Sequence, residues 1–221
     1  MKLHGVSLSP WVRRLMVLMD EKGIEYELVP AVPGENASAE LRNMNPLGRI
    51  PVLELDDGRF LADSLAASIY LDSAFPGHQF IPADNWARSW DLWLCEFVAS
   101  AIFSRFEGTF FVQRVVRPAF EKAAPDEGKI SEVAHHIPPA YEYLEAHLMN
   151  TAFLSSSDLT LADVTAASVL LNMRHAGEEI DPDRWPKLAD YLNRMHQRPS
   201  FVASIKKDME LIGHVSALRP T

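Results

Sequence analysis

The chain has 221 residues, 48% of them hydrophobic and 23% charged, enough to bury a sizeable core as one large domain or two smaller ones. Its 30 acidic against 21 basic side chains leave a formal net charge of −9, which excludes the clustered Lys and Arg surface that nucleic-acid phosphates require. A single cysteine excludes an internal disulfide framework, no apolar run reaches bilayer-spanning length, and the Met-Lys-Leu-His start is no secretory signal, so a cytoplasmic protein without membrane contact is expected.

Residues 2–6 read as a short first strand. Ser7-Leu8-Ser9-Pro10 ends it, and Val12, Leu15, Met16, Leu18 and Met19 follow at helical spacing up to Gly23. Ser9 suits the N-cap and Pro10 the first helical position. Residues 24–32 read as a second strand closed by Pro33-Gly34, and residues 37–44 as a short helix. Asn45-Pro46-Leu47-Gly48 punctuates as a loop. Residues 50–55 read as a strand with Pro51 near its start, a place where proline marks a strand beginning, an edge or a cis turn. Asp56-Asp57-Gly58 supplies turn chemistry before a short strand over 59–61. Asp63-Ser64 stands where a helix begins, with Leu65, Ile69 and Leu71 following.

Phe75-Pro76-Gly77-His78 marks a break, and from Asn85 the texture is helical. Trp86, Trp90, Trp93, Leu94, Phe97 and Val98 mark a long amphipathic helix, which Phe103, Phe106, Phe110 and Phe111 extend toward Pro118. Residues 124–128 form a loop, and residues 130–148 a helix that Pro138-Pro139 either kink or divide. Thr160-Leu161-Ala162-Asp163 has the spacing of a capping box, with Asp in place of the usual Glu or Gln. The helix it opens is nearly all apolar or small through about Met173, so it should be buried. Trp185-Pro186 begins another helix, through His196. Arg198-Pro199-Ser200 begins the last, with a loose tail expected from Gly213.

The densest chemistry lies in residues 43–72. The backbone N–H and C=O of Ile50, beside Pro51, are placed to pair with an extended peptide as an added strand. Free N–H groups at the start of the helix from residue 63 favour a carboxylate, while Asp63 can receive an ammonium. A small peptide with a zwitterionic amino-acid end suits both, although a plain hairpin and N-capped helix accounts for the same residues. Ser9 sits where a strand gives way to a helix N-terminus, a position that favours an anion, and its hydroxyl can donate to a bound thiolate. A free thiol has a pKa of about 8.5, so such a bond increases the nucleophile present at neutral pH. Serine is equally a preferred N-cap whatever the function. Ser7, read as still within the strand, is the rival hydroxyl. Arg13 either adds positive field near a thiolate or takes up a surface ion pair.

Three features point nowhere. Cys95, among Leu92, Leu94 and Val98, reads as a buried thiol. His135 and His136 are adjacent, which puts them on different faces of a helix, so no metal site is expected. Arg13-Arg14 is too short for a nucleic-acid patch.

Asn45-Pro46, Gly48-Arg49-Ile50-Pro51, the hairpin and Asp63-Ser64 at a helix start together resemble the glutathione-binding half of the glutathione S-transferase superfamily. The order strand–helix–strand, helix, hairpin, helix is that of a thioredoxin-like domain. The capped helix at Thr160 and the Arg198-Pro199-Ser200 start resemble the superfamily's helical domain. The resemblance implies an α/β thioredoxin-like N-terminal domain over 1–76, a linker over 77–84 and an all-α domain over 85–221. Ser9-Pro10-Trp11-Val12-Arg13-Arg14 matches the serine-type pattern, as in the phi class, whereas omega and beta types carry Cys at the catalytic place.

By that resemblance Ser9 would stabilise the glutathione thiolate, and Ile50 would pair its backbone with the cysteinyl part, exposed by a cis Pro51. Asp63 and Ser64 would hold the γ-glutamyl end, and Arg49 would reach the glycyl carboxylate. Some serine-type relatives place His or Lys after the second strand for that carboxylate, where this chain has Glu35-Asn36-Ala37-Ser38. Trp11, Phe103, Phe106 and Phe110 would wall an electrophile pocket between the domains, a role that competes with plain core packing. The implied activity is a detoxifying transfer: thiolate attack on a small hydrophobic electrophile, with glutathione as co-substrate and no metal. The implied assembly is a homodimer touching through residues 75–80 and the helix over 86–93. A glutathione-dependent peroxidase, dehalogenase or isomerase would share the site, and a non-enzymatic binding protein would share the fold.

Overall fold

In the computed structural model, which describes residues 1–217, four short strands form one mixed sheet. The order along the chain is β1 (Lys2–His4), α1 (Pro10–Lys22), β2 (Glu27–Val29), α2 (Ala39–Met44), β3 (Val52–Glu54), β4 (Phe60–Leu61) and α3 (Ser64–Ala74). In space the strands lie β2-β1-β3-β4. β1 runs parallel to β2, which requires the α1 crossover, and antiparallel to β3, which pairs antiparallel with β4. Leu3 stands opposite Leu28 and Leu53 on the core face, where α1 packs against α3. Lys2, His4 and Glu54 alternate onto the other face, with His4 Nε2 2.7 Å from a Glu54 oxygen.

Each strand is shorter than its sequence suggests, and proline and capping explain why. Ile24 donates its N–H to Met19 O as part of the α1 terminus, so the second strand cannot begin there. Pro30 and Pro33 have no N–H to continue it beyond Val29. The first strand ends at His4, with Gly5 N still bonded to Val29 O at 2.9 Å, and Ser7 falls in a turn rather than in the strand. α1 begins at Pro10 with Ser9 as N-cap and ends at Gly23, whose φ of 66° closes the helix in the left-handed region. Residues 12–19 are all buried, Arg13 completely, which rules out a surface ion pair for it.

Asp72 closes this first unit, which spans Met1–Ile81. Its buried carboxylate accepts from Phe80 N at 2.9 Å, Ile81 N at 3.0 Å and Lys22 Nζ at 3.2 Å. Phe80 is fully buried at the end of the 75–80 segment, while Phe75 is half-buried and Pro76, Gly77, His78 and Gln79 are exposed.

The second unit, from Pro82 onward, is entirely helical: α4 (Asn85–Phe97), α5 (Gly108–Phe111), α6 (Glu127–Ala134), α7 (Ile137–His147), α8 (Leu161–His175), α9 (Pro186–His196) and α10 (Pro199–Ala217). Two π-helical stretches, Val98–Glu107 and Val112–Glu121, join α4 to α5 and continue beyond it. The backbone therefore winds without a break from residue 85 to 121, where Lys122, at φ 56°, stops it. Pro138-Pro139 divide α6 from α7 by occupying the first turn of α7. His135 and His136 fall in that break, not on different faces of one helix, and their ring centroids lie 3.9 Å apart. The last helix runs past Gly213, where a loose tail was expected, and residues 218–221 lie outside the described residues.

α8 is the core of the unit, with residues 161–173 all buried. Its capping box forms: Asp163 accepts from Thr160 N and Thr160 Oγ1, each at 2.9 Å, and also from Leu154 N at 2.8 Å and Tyr191 OH at 3.0 Å. Asp91 of α4 accepts from Ala162 N at 3.2 Å beside it. Burial pushes the Asp91 carboxyl up to about 6 and raises that of Asp163 as well. Cys95 is buried with its sulfur 3.5 Å from Thr165 Oγ1. No helix among the described residues is long and apolar enough to cross a membrane.

Candidate functional site

The antiparallel pairing of β1 with β3 sets the site. His4 stands opposite Val52, so the segment leaving β1 toward Ser9 and the segment entering β3 through Ile50 emerge at the same end of the sheet. Ser9 is half-buried, and its Oγ accepts from Val12 N at 3.4 Å, long for a hydrogen bond. Its hydroxyl hydrogen has no acceptor among the described residues. The rival Ser7 is buried in its turn.

The Ile50–Pro51 peptide bond is cis. Ile50 lies just ahead of β3, and neither its N–H nor its C=O has a partner among the described residues. Asn45 holds this segment in place. Its Nδ2 donates to Arg49 O at 2.9 Å and to Ala62 O at 3.4 Å, and its Oδ1 accepts from Leu47 N at 3.1 Å. One buried amide thus ties the approach to Ile50 to the approach to α3. Gly48 makes the turn at φ 59°, and a Cβ there would meet Ala37 Cβ and Arg42 Nη1 at 3.1 Å. Arg49 is exposed and makes no ion pair among the described residues. Arg42 spends its guanidinium on Gly34 O at 2.8 Å.

Asp63 caps α3 through one oxygen only: Oδ1 accepts from Leu65 N at 2.8 Å and Ala66 N at 3.0 Å. Oδ2 is left open on an exposed residue. Ser64, the first residue of α3, is buried, and its Oγ accepts a hydrogen bond from Arg14 Nη2. Arg14 is itself buried, with its guanidinium carbon 5.1 Å from the Trp11 ring centroid. Among the described residues nothing accepts from the Ser64 hydroxyl or amide.

Asn45 and Arg14 are the two residues whose part sequence reasoning missed. Asn45 read as turn chemistry, and Arg14 as half of a short basic pair. A signal existed for Arg14: it lies four residues before Leu18 on a helix whose neighbouring positions are apolar, so a charge there is buried and needs a partner.

The aromatic candidates divide. Phe106 and Phe110 are buried in the helical unit, the first edge-on to Tyr141 at 5.9 Å and the second beneath Arg114 at 5.5 Å. Trp11 and Phe103 keep partial exposure. The first unit therefore presents a donor hydroxyl at a helix N-terminus, an unpaired backbone at Ile50, an open carboxylate oxygen and two unused donors on Ser64. That set fits a short peptide carrying a thiol and an amino-acid end.

Residues 3–79 match the glutathione S-transferase N-terminal domain, and residues 129–194 match the C-terminal domain. Glutathione S-transferase 3 of Zea mays is 32% identical over 171 residues, covering 76% of this chain and 75% of the relative. A zeta-class glutathione S-transferase of Euphorbia esula is 30% identical over 170 residues, covering 74% and 72%. The crystal structure of a glutathione S-transferase from Rhodospirillum rubrum F11 superposes with a TM-score of 0.84 at 24% identity, covering 92% of this chain and 90% of that one, and shares its fold. The chain, with its thioredoxin-like N-terminal unit and helical C-terminal unit, belongs to the glutathione S-transferase family.

Proposed function

We propose that this family member is a serine-type glutathione transferase that joins the glutathione thiolate to small hydrophobic electrophiles. The observation that carries the reading is the set of unsatisfied groups at one end of the N-terminal sheet: the Ser9 hydroxyl, the Ile50 backbone, Asp63 Oδ2 and the donors of Ser64. Each matches one part of glutathione. Ile50 would pair with the cysteinyl backbone, Asp63 with the ammonium, Ser64 with the γ-glutamyl carboxylate, and exposed Arg49 with the glycyl carboxylate.

The chemistry then follows from electrostatics and proximity. The thiol proton leaves to solvent, and the Ser9 O–H donates to the sulfur so that the thiolate persists at neutral pH. The sulfur attacks the electrophilic carbon, a carbon–sulfur bond forms, and the leaving group departs with its electron pair. Ser9 forms no covalent bond; it holds charge, and the binding groups hold geometry. Trp11, which keeps partial exposure two residues from Ser9, is the candidate of the first unit to meet the electrophile. The protein would act in the cytoplasm as a homodimer.

The test is conjugation of glutathione to a chloronitrobenzene by the wild type and Ser9→Ala. Removing one donor to a developing or resident anion costs about 10² in rate. A rate that needs glutathione and falls by that factor supports the reading. A wild type that does not conjugate points to a different glutathione-dependent reaction or to a binding protein. An unimpaired Ser9→Ala assigns Ser9 to helix capping alone.

A further inference from the structure

Ser64 poses a question that its assignment to the γ-glutamyl carboxylate does not answer. A hydroxyl can accept as well as donate, and a carboxylate can only be held by its hydrogen. The hydrogen must therefore be kept out of every competing bond, at a residue that is 5% exposed and has little water to help.

Arg14 resolves it. Its Nη2 donates to Ser64 Oγ, and a guanidinium has no acceptor to offer in return. The hydroxyl hydrogen is thereby turned away from α1, and among the described residues it meets no acceptor. The partner that would otherwise compete, the Ser64 carbonyl, already accepts from Ser68 Oγ at 2.7 Å. The guanidinium also places a fixed positive charge, itself 3% exposed, behind the hydroxyl. Trp11 and α1 hold that charge in position: the Trp11 ring centroid is 5.1 Å away, and Arg14 sits mid-way along a helix that packs on α3. A carboxylate at Ser64 would meet an aligned hydroxyl, an amide N–H, the α3 N-terminus and this buried charge together.

We propose that Arg14 is a positioning residue that makes the Ser64 subsite selective for a carboxylate, acting through the serine hydroxyl rather than by touching the ligand. The inference rests on the proposed glutathione site and names what enforces its specificity. It predicts that Arg14 contributes to discrimination against a ligand lacking the α-carboxylate, not to affinity in general.

The experiment is calorimetric binding, without electrophile, of glutathione and of γ-aminobutyryl-cysteinylglycine, which lacks the α-carboxylate and keeps the amine. A charge-assisted hydrogen-bond network lost from one ligand is worth about 10- to 150-fold in affinity, so the wild type should prefer glutathione by that order. Arg14→Gln should lose most of that preference, with little change in affinity for the analogue, and Arg14→Lys should recover part of it. Ser64→Ala removes only a hydroxyl and keeps the guanidinium, so it asks the same question even if Arg14→Gln does not fold; its preference should also fall by about tenfold. Equal weakening of both ligands in Arg14→Gln overturns the inference, because a residue that merely supports the fold does that. A full preference in Ser64→Ala overturns it as well. A wild type that binds neither ligand overturns the glutathione site itself and the inference with it, whereas the variant outcomes leave that site standing.

Discussion

A side chain with two oxygens can serve a helix and a ligand at once, and Asp63 is arranged to do so. Oδ1 takes both free N–H groups of the α3 start, and Oδ2 takes none. Asparagine caps as well as aspartate but carries no charge. Asp63→Asn should therefore leave the melting temperature almost unchanged and weaken glutathione binding by about tenfold or more, since hydrogen bonds to charged groups are worth about 1.5–3 kcal/mol. Paired thermal melts and calorimetry check it; unchanged affinity would remove Asp63 from the site. At this scale Ser9 and Asp63 could be read from the sequence because capping is local: the partner of each lies within three residues. The Arg14–Ser64 bond spans 50 residues, and Asn45 reaches 17 residues on to Ala62, so neither leaves a trace in local spacing.

Helix ends were the most legible elements, and the strands the least. Ser9-Pro10, Gly23, Thr160 with Asp163, Trp185-Pro186 and Pro199 each act through an interaction within a few residues, and each marks a helix end in the structure. Strand lengths depend on cross-strand partners, which is why residues 24–32 shrink to Glu27–Val29. The π-helical stretches could not be anticipated, because the aromatic spacing of Phe97, Phe103, Phe106 and Phe110 reads as ordinary helix.

The packing of α4 against α8 carries its own prediction. Asp91 has a carboxyl raised to about 6, because burial disfavours its charged form and Asp163 repels it. Below about pH 4 both the folded and unfolded chains hold that proton, and above about pH 6 neither does. Between those values the fold keeps a proton that the unfolded chain has lost, so stability falls as pH rises through the window. Asp91→Asn keeps an acceptor for Ala162 N and removes the charge. It should make that fall shallower and raise stability near neutrality, by at most about 3 kcal/mol for a shift of two units. Asp163, raised in the same direction, leaves a residual slope. Denaturation across pH 4 to 7 measures it, and an unchanged slope would contradict the account.

At the scale of the molecule, one surface stands out in the helical unit. Trp86, Trp90, Trp93 and Phe97 follow one another at spacings of four, three and four along α4, and Trp86 is 76% and Trp93 47% exposed. Tyr143 and His147 of α7 extend the aromatic surface, with Tyr143 accepting from Trp93 Nε1 at 3.2 Å and its ring 4.3 Å from that of Phe97. If this face pairs with a second copy, sedimentation equilibrium should return twice the 24.8 kDa chain mass, and Trp93→Glu should return the single mass. A monomeric wild type would sink the homodimer.

The two-part architecture was readable over nearly the whole chain, because it rests on the order of elements, and that order survives errors in their lengths. The proposed chemistry could be approached from the sequence only where a candidate residue also shapes a helix terminus. Ser9 is the point where these meet. Its most direct test is the pKa of the thiol of enzyme-bound glutathione, followed through thiolate absorbance as pH is varied, in the wild type and in Ser9→Ala. The account predicts a value well below the free-thiol range of about 8.5 in the wild type, rising toward that range when the hydroxyl is removed. Bound glutathione that titrates identically in the two proteins would contradict it, and would leave Ser9 as the cap of α1 and nothing more.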